Sequence, residues 1–259
     1  MRILVTFAVE AEFAPWRAIR VFRKVQINEK HYSGGVEGFE ATVGGSTVWV
    51  FFTGIGIKLF DFQIARCFLD AGVDVVISSG LAGSLRSEFA VGDVVAPKKV
   101  GNLRDVGVVP TTPALLDFAE RRGARLVETL LTADHIIETG EEKSRLAVFA
   151  DVVDMESVHV MEVFRSEGLP VATIRAISDA SDENLPIDFT EAVSPDGRVK
   201  IVSLLRQLIG RPAKIPDLVR FGLRSKGAAR KLAAFLDSFV ESLTPEVLCH
   251  ETATADSHE

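Results

Sequence analysis

The chain has 259 residues, of which 47% are hydrophobic and 25% charged, a composition typical of a globular protein with a well-buried core. Its net charge of −7 argues against nucleic acid as the main partner, and it contains no apolar run of about 18 residues that would predict a membrane-spanning helix. Because its two cysteines do not suggest a disulfide framework, we expect a cytoplasmic protein.

Short β-branched runs alternate with stretches of helical spacing along the first 180 residues. Residues 2–9 predict a first strand rather than a signal peptide, because no small-residue cleavage site follows them. A hairpin is predicted around Gly44 and Gly45, between strands at 39–43 and 47–53. Further strands are predicted at 73–79, 93–96, 125–132, 152–155 and 171–177, and helices at 57–71, 113–122, 141–150 and 156–168. This alternation predicts a layered α/β fold with a largely parallel sheet, whose ligand sites lie at the carboxyl ends of the strands.

The composition changes after residue 182. Residues 183–197 predict a loop and 198–209 a helix, and the segment 206–231 holds eight basic residues and one acid, which gives it a charge of +7. A long amphipathic helix follows, with one apolar stripe formed by Leu232, Phe235, Leu236, Phe239, Val240 and Leu243. We expect a single domain over residues 1–243, in which 198–243 form a basic helical extension, and a flexible tail over 244–259.

Four acidic or glycine-rich motifs occur near the ends of predicted strands. They are Ala8-Val-Glu-Ala-Glu12, Thr53-Gly-Ile-Gly56 with Ser79-Gly-Leu-Ala-Gly83, Asp154-Met-Glu156, and Arg175-Ala-Ile-Ser-Asp179. In this order they resemble the nucleoside phosphorylase and nucleosidase superfamily, and within it the methylthioadenosine/S-adenosylhomocysteine nucleosidases. The resemblance covers roughly residues 1–183. It implies a three-layer α/β/α fold with a central mixed sheet, cleavage of a purine nucleoside without a cofactor, and a homodimer.

Cleavage of an N-ribosidic bond has requirements that carboxylates can meet. The resemblance implies that Asp179 is the acid that protonates N7 of the leaving purine, and burial after an apolar strand would raise its pKa. Ser178 would orient this carboxyl group. Glu156 would accept hydrogen bonds from the ribose hydroxyls and stabilise positive charge on the sugar, above an apolar floor provided by Met155.

The third requirement is a base that deprotonates the attacking water. The matching family segment has its base at the last acid, which is Glu12 here. Glu10 lies two residues earlier and would share the same face if the first strand continues through this segment. We favour Glu12 and keep Glu10 as the alternative.

The base pocket is expected to be apolar. Ile136 and Ile137 lie in the segment where the family usually has an aromatic side chain that stacks on adenine, so apolar contact replaces stacking here. Leu81, Ala82 and Gly83 belong to the second glycine-rich turn and are also expected to contact the substrate. The glycines at 54, 56, 80 and 83 would let main-chain N–H groups approach the ligand. No metal site is predicted, because the five histidines do not fall at ligand spacings.

The choice between water and phosphate as nucleophile depends on the basic residues available. The phosphorylases of the superfamily have a Gly-Asp-Pro-x-Arg loop after the first strand, which this chain lacks. They also have an Arg and a Ser around the second glycine-rich turn, and the corresponding positions here are occupied by Ser78 and Leu81. A leucine cannot bind phosphate oxygens, so hydrolysis is favoured. Arg17 and Arg86 could still form a phosphate site. Phosphorolysis, futalosine hydrolysis and non-catalytic nucleoside binding remain as alternatives.

Three later segments differ from the small nucleosidases. They are Ser181-Asp-Glu-Asn-Leu-Pro186, Ser194-Pro-Asp-Gly-Arg198 and Arg211-Pro-Ala-Lys-Ile-Pro216. They are similar to a hopanoid-associated branch that ends in a comparable basic helix, and this implies adenosylhopane, an adenine nucleoside with a lipid on its 5′ side, as the substrate. The basic segment 206–231 then predicts peripheral contact with anionic membrane headgroups. The alternative is that the last helix packs its apolar stripe on the sheet.

Overall fold

The computed structural model of the chain describes residues 1–27, 35–102, 107–186 and 212–249. The described strands are β1 (Arg2–Phe7), β2 (Arg23–Ile27), β3 (Val36–Val43), β4 (Ser46–Phe52), β5 (Val75–Ser84), β6 (Val94–Asn102), β7 (Val108–Pro110), β8 (Arg125–Thr132), β9 (Val152–Asp154) and β10 (Val171–Asp179). The described α-helices are α1 (Glu10–Ile19), α2 (Phe62–Asp70), α3 (Pro113–Arg121), α4 (Gly140–Leu146), α5 (Ser157–Ser166), α6 (Ile215–Ser242) and α7 (Pro245–Cys249). The helix predicted at 198–209 lies outside the described residues.

The strands form one mixed sheet in the order β10-β6-β8-β9-β5-β1-β4-β3-β2, with β7 on β6. Strand β10 also pairs with β5, so this half of the sheet closes on itself. Parallel pairing joins β4, β1, β5 and β10, and it therefore brings the carboxyl ends of these strands to one edge. The outer strands β2 and β3 pair antiparallel with their neighbours. The mixed α/β sheet predicted from the sequence is confirmed.

Helices cover both faces of the central strands. Alternate residues of β1 point to opposite faces, so Ile3 and Val5 belong to one apolar cluster and Leu4 to the other. The first cluster includes side chains of α1, α3 and α6, and the second includes side chains of α2 and α5. Strands buried on both faces explain the continuous apolar runs in the sequence, and the three-layer arrangement is confirmed.

Helix α6 divides into two halves of different exposure. In its second half, Leu232, Leu236, Phe239 and Val240 are fully buried against the sheet. Asp237 adds polar contacts to α1, since it accepts hydrogen bonds from Trp16 Nε1 at 2.9 Å and from Arg20 at 2.7 Å. The apolar stripe is therefore part of the core, which is the alternative that the sequence left open for the last helix.

One difference from the prediction concerns the C-terminal segment. Residues Pro245–Cys249 form a short helix where the composition predicted a flexible tail, and Val247 and Leu248 pack against the first apolar cluster. Across the described ranges, none of the helices combines the length and apolarity needed to cross a membrane.

The two halves of α6 differ in what an alanine substitution should cost. Leu236→Ala removes a fully buried side chain and is expected to lower the free energy of unfolding by about 2–5 kcal/mol. Leu223→Ala, on the same helix but 66% exposed, is the matched control and should change it by less than about 0.5 kcal/mol. Urea denaturation followed by circular dichroism measures both. Similar losses in the two variants would contradict a core role for the second half.

Candidate active site

One pocket lies at the edge of the sheet where β1, β5 and β10 end. All ten residues that the sequence predicted for the site line it, and they are Glu12, Leu81, Ala82, Gly83, Ile136, Ile137, Met155, Glu156, Ser178 and Asp179. The chain contributes to this edge through the residues that follow β1, β4, β8 and β9 and through the last residues of β5 and β10. The topology therefore explains why motifs far apart in sequence meet.

Glu12 is held in the pocket by main-chain amides. It lies in the first turn of α1, where its Oε2 accepts the N–H of Ala8 at 2.9 Å and its Oε1 accepts the N–H of Leu81 at 2.8 Å. Burial raises the pKa of Glu12, and the charge of Arg175 and the amide hydrogen bonds oppose this rise in part. A buried carboxylate with a raised pKa is a stronger base than an exposed one.

Glu10 does not belong to the site. The expectation that Glu10 and Glu12 share one face of a continuing strand is wrong, because the strand ends at Phe7 and α1 begins at Glu10. On a helix, residues two apart point in different directions. Glu10 is 64% exposed in its side chain, forms an ion pair with Arg17 at 2.7 Å and does not line the pocket. The geometry therefore selects Glu12.

A fully buried arginine lies beneath the carboxylates. Arg175 Nη2 is 2.6 Å from Asp154 Oδ2 and 3.7 Å from Glu156 Oε2, and Nη1 donates to the carbonyl of Ser79 at 2.9 Å. Gly80 makes room for this side chain, since a Cβ there would lie 2.3 Å from Arg175 Nη1. Arg175 was part of a motif in the sequence, but no role could be predicted for it, because its partners cannot be identified from its position in an apolar strand.

Glu156 shares this buried charge cluster. Its Oε1 accepts the N–H of Gly56 at 3.1 Å, and it lines the pocket beside Met155. Burial is the main cause that raises the pKa of Glu156 to about 8; Arg175 opposes the shift, whereas the charges of Asp154 and Glu12 add to it. The amides of Gly56 and Leu81 thus bind carboxylates of the site, so at these two positions the N–H groups of the glycine-rich turns serve the protein.

The raised pKa of Glu156 predicts how stability depends on pH. Because the folded state holds this proton more tightly than the unfolded state, stability should fall as pH rises from about 4.5 to above 8. Glu156→Gln removes the effect and should raise the free energy of unfolding by about 1–3 kcal/mol at pH 8.5, with little change at pH 5. Thermal melts at both pH values check this, with the exposed Glu162→Gln as control. An equal change at both pH values would contradict it.

Asp179 ends β10 with both carboxylate oxygens bonded. The Ser178 hydroxyl lies 2.5 Å from its Oδ1, as expected for an orienting side chain. Its Oδ2 forms an ion pair with the ammonium of Lys143, which is fully buried. The sequence indicated burial of this carboxyl group but not its charged partner. Lys143 was missed because it lies in a polar run, Gly140-Glu-Glu-Lys-Ser-Arg145, that is typical of an exposed helix.

The rest of the lining is largely apolar. Val9, Ile55, Ile136, Ile137, Leu185 and Phe221 form most of the wall. Phe221 comes from the first half of α6 and supplies an aromatic side chain that the segment around Ile136 lacks. His135 lies at the same wall, between Asp134 at 2.7 Å and Glu142 at 2.8 Å, and hydrogen bonds to these two carboxylates raise its pKa.

The residues considered for phosphate binding lie elsewhere. Ser78 is buried and 3.2 Å from Arg175 Nη2. Arg17 pairs with Glu10, and Arg86 pairs with Asp151 at 2.5 Å. Neither Lys nor Arg lines the pocket within the described ranges. In those ranges no three side chains of His, Cys, Asp or Glu are grouped as a metal site would require.

Comparisons with known proteins agree with this geometry. The model of the Phosphorylase superfamily matches residues 2–210. The 5'-methylthioadenosine/S-adenosylhomocysteine nucleosidase of Shewanella halifaxensis is 25% identical over 202 residues, which are 67% of this chain and 87% of the relative.

Two solved structures from Helicobacter pylori have the same fold. A mutant of the nucleosidase MTAN with 5'-methylthioadenosine in its active site is 19% identical, with a TM-score of 0.67 over 93% of this chain and 99% of its own. A mutant of futalosine hydrolase is 18% identical, with a TM-score of 0.67 over 94% of this chain and all of its own.

Proposed function

Because the chain belongs to the Phosphorylase superfamily, we propose that it is an N-ribosyl hydrolase that releases adenine from a nucleoside with water as the nucleophile. The observation that carries this proposal is the composition of the pocket. Four carboxylates line it, namely Glu12, Asp154, Glu156 and Asp179, of which Asp154 is paired with the buried Arg175, whereas none of its described lining residues is Lys or Arg. Such a pocket suits a sugar cation and repels a phosphate anion.

Glu12, Glu156 and Asp179 each have a distinct place in the proposed reaction. Glu12 takes a proton from water as the oxygen attacks the anomeric carbon. Glu156 binds the ribose hydroxyls, and the positive charge that develops on the sugar favours the ionised form of this carboxyl group, which then stabilises the oxocarbenium-like transition state. The electrons of the glycosidic bond pass to adenine, which receives a proton on N7 from Asp179 and leaves as a neutral base. Nucleoside and water are thereby converted to adenine and the free sugar.

The test is adenine release by the dialysed enzyme, followed by ultraviolet absorbance, with and without added phosphate. Methylthioadenosine is the first substrate. We expect equal rates in both conditions and a free sugar as the second product. Activity only with phosphate, and formation of a sugar phosphate, would replace hydrolysis by phosphorolysis. Release only from futalosine would assign that substrate instead, and no release from any nucleoside would favour a binding module.

We further propose that the substrate carries a bulky apolar 5′ substituent, such as the hopane of adenosylhopane. The apolar wall formed by Val9, Ile136, Leu185 and Phe221 supports this, since it can bury hydrocarbon without leaving polar groups unpaired. Competition between methylthioadenosine and 5′-alkyl adenosines of increasing chain length tests it. The kcat/KM should rise with chain length; a fall beyond the methyl group would count against a lipid substituent.

The first half of α6 supports the proposed peripheral contact with a membrane. Ile215, Val219 and Leu223 are 44%, 56% and 66% exposed and recur every four residues, so they form one stripe on the helix. Exposed basic side chains of Arg220, Lys226 and Arg230 accompany the stripe. Apolar insertion together with attraction to anionic headgroups is the usual basis of interfacial helix binding.

Vesicle co-sedimentation tests this contact. The protein should bind vesicles rich in phosphatidylglycerol and not vesicles of phosphatidylcholine, and Leu223→Glu should abolish binding while adenine release from methylthioadenosine is unchanged. Phe149→Glu is the matched control, because Phe149 is 65% exposed but lies far from α6 in sequence. Equal vesicle binding by Leu223→Glu and the wild type would remove the basis for the membrane proposal. A homodimer remains a further proposal, which sedimentation velocity would check.

A further inference from the structure

The contact between Lys143 and Asp179 is the feature of the site that the proposed reaction has not yet used. Lys143 is on α4, its side chain is fully buried, and its ammonium is bound to Asp179 Oδ2. The same ammonium donates to the carbonyl oxygens of Ala180 at 2.7 Å and Glu183 at 3.2 Å. A lysine ammonium has three donors, so these three acceptors satisfy it completely.

This arrangement excludes two ordinary roles for the lysine. It is not a surface ion pair, because burying an ammonium costs several kcal/mol unless a counter-charge and full hydrogen bonding offset the loss of hydration. It is also not a ligand for the substrate, because Lys143 does not line the pocket and its donors are already used. Lys143 therefore acts on the substrate only through Asp179.

The state of Asp179 raises a chemical question. Its Oδ1 is bonded to the Ser178 hydroxyl and its Oδ2 to an ammonium, an environment that stabilises a carboxylate. A carboxylate has no proton for N7, so one of its two donors must supply it. An ammonium is a much stronger acid than an alcohol, so Lys143 is the better proton donor of the two.

We propose that Lys143 and Asp179 act as one acid, in which the lysine stores the proton and the aspartate delivers it to N7. This inference rests on the proposed nucleosidase function. As the glycosidic bond breaks, one proton moves from Nζ to the Asp179 carboxylate and one moves from Asp179 to the purine. Lys143 is left neutral and Asp179 is again a carboxylate. After product release, a proton from solvent restores the ammonium. Lys143 is thus a positioning residue for the proton.

The other charged groups near Lys143 already have partners. Glu183 forms an ion pair with Arg224 of α6, and Glu142 is 2.8 Å from His135. Asp179 is consequently the carboxylate whose charge faces the ammonium directly. A change of pH that alters this pair should therefore alter proton delivery.

A comparison of two substrates in the wild-type enzyme tests the proposal without any variant. 4-Nitrophenyl riboside loses a leaving group that needs no proton, whereas methylthioadenosine needs one. Both substrates require Glu12 and Glu156, so pH effects on these two groups cancel when kcat for methylthioadenosine is divided by kcat for the riboside. If the pair stores the proton, the ratio stays constant from pH 6 to pH 8.5; if Asp179 is the sole store, methylthioadenosine activity falls steadily relative to the riboside.

Variants of Lys143 give the second test. Lys143→Met is expected to lower kcat for methylthioadenosine by about 10²-fold with little change in KM, and to spare the riboside. Lys143→Arg keeps the charge but cannot release a proton, so it should not restore kcat. Lys98→Met, which removes an exposed lysine paired with Glu128, is the control. Full activity of Lys143→Met, rescue by arginine, or equal loss on both substrates would overturn the proposal. If the wild type releases no adenine, it is the proposed function that fails.

Discussion

Asp179→Asn is expected to lower kcat for adenine release by about 10²–10⁴-fold while KM changes little. Asparagine has the same shape and still accepts a hydrogen bond from Lys143, but it cannot pass a proton to N7. The loss should therefore appear in the chemical step and not in binding. Single-turnover measurement of adenine release separates the two.

The control for this variant is Asp182→Asn. Asp182 lies three residues further along the chain, and its side chain is exposed. Asp182→Asn therefore removes the same charge as Asp179→Asn, but outside the site. Its kcat should match that of the wild type. 4-Nitrophenyl riboside should remain a substrate of Asp179→Asn, because its leaving group needs no proton. Equal losses in the two variants, or unchanged kcat in Asp179→Asn, would remove Asp179 from the reaction.

Glu12→Gln is expected to lower kcat by a similar factor, about 10²–10⁴-fold. This variant impairs the attack by water, whereas Asp179→Asn impairs protonation of the leaving purine. The amides of Ala8 and Leu81 bind different oxygens of Glu12, so glutamine keeps an acceptor for only one of them, and it cannot accept a proton from water. Because attack by water is needed whatever the leaving group, the loss should be equal for methylthioadenosine and 4-nitrophenyl riboside. This equality distinguishes Glu12 from Asp179.

Glu10→Gln is the matched control, since it makes the same substitution two residues away on the same helix. The exposed side chain of Glu10 points away from the pocket, so kcat should be unchanged. A larger loss in Glu10→Gln than in Glu12→Gln would contradict the assignment of the base. Phosphate that restores turnover in Glu12→Gln would show that water is not the only nucleophile the pocket admits.

The central layers of this fold could be predicted because their signals are local. Strand β8 has the bounds that the apolar pattern indicated, 125–132, and β10 extends the predicted 171–177 by two residues. Buried parallel strands produce continuous apolar runs, and parallel strands bring their carboxyl ends together. The pocket could thus be located from motifs at strand ends.

The features that could not be predicted depend on contacts between distant segments. Helix α1 begins at Glu10 because the Glu12 carboxylate accepts the amides of Ala8 and Val9, which no periodicity reveals. Strand β2 has one buried residue in five and therefore shows no apolar pattern. Lys143 has the sequence surroundings of a solvated lysine, and its contact with Asp179, 36 positions away, exists only in the folded chain. Partners of buried charges are a tertiary property.

Helix α6 has a consequence for how proteins of this kind can diversify. Its second half is fixed by the core, while its first half is largely exposed, reaches the pocket through Phe221 and contacts Glu183 through Arg224. Gly222 and Gly227 lie in the first half with open space around the position of a Cβ. Side chains at these positions would meet open space and leave the buried stripe in place, so selection can change the exposed surface of this helix and its core contacts independently.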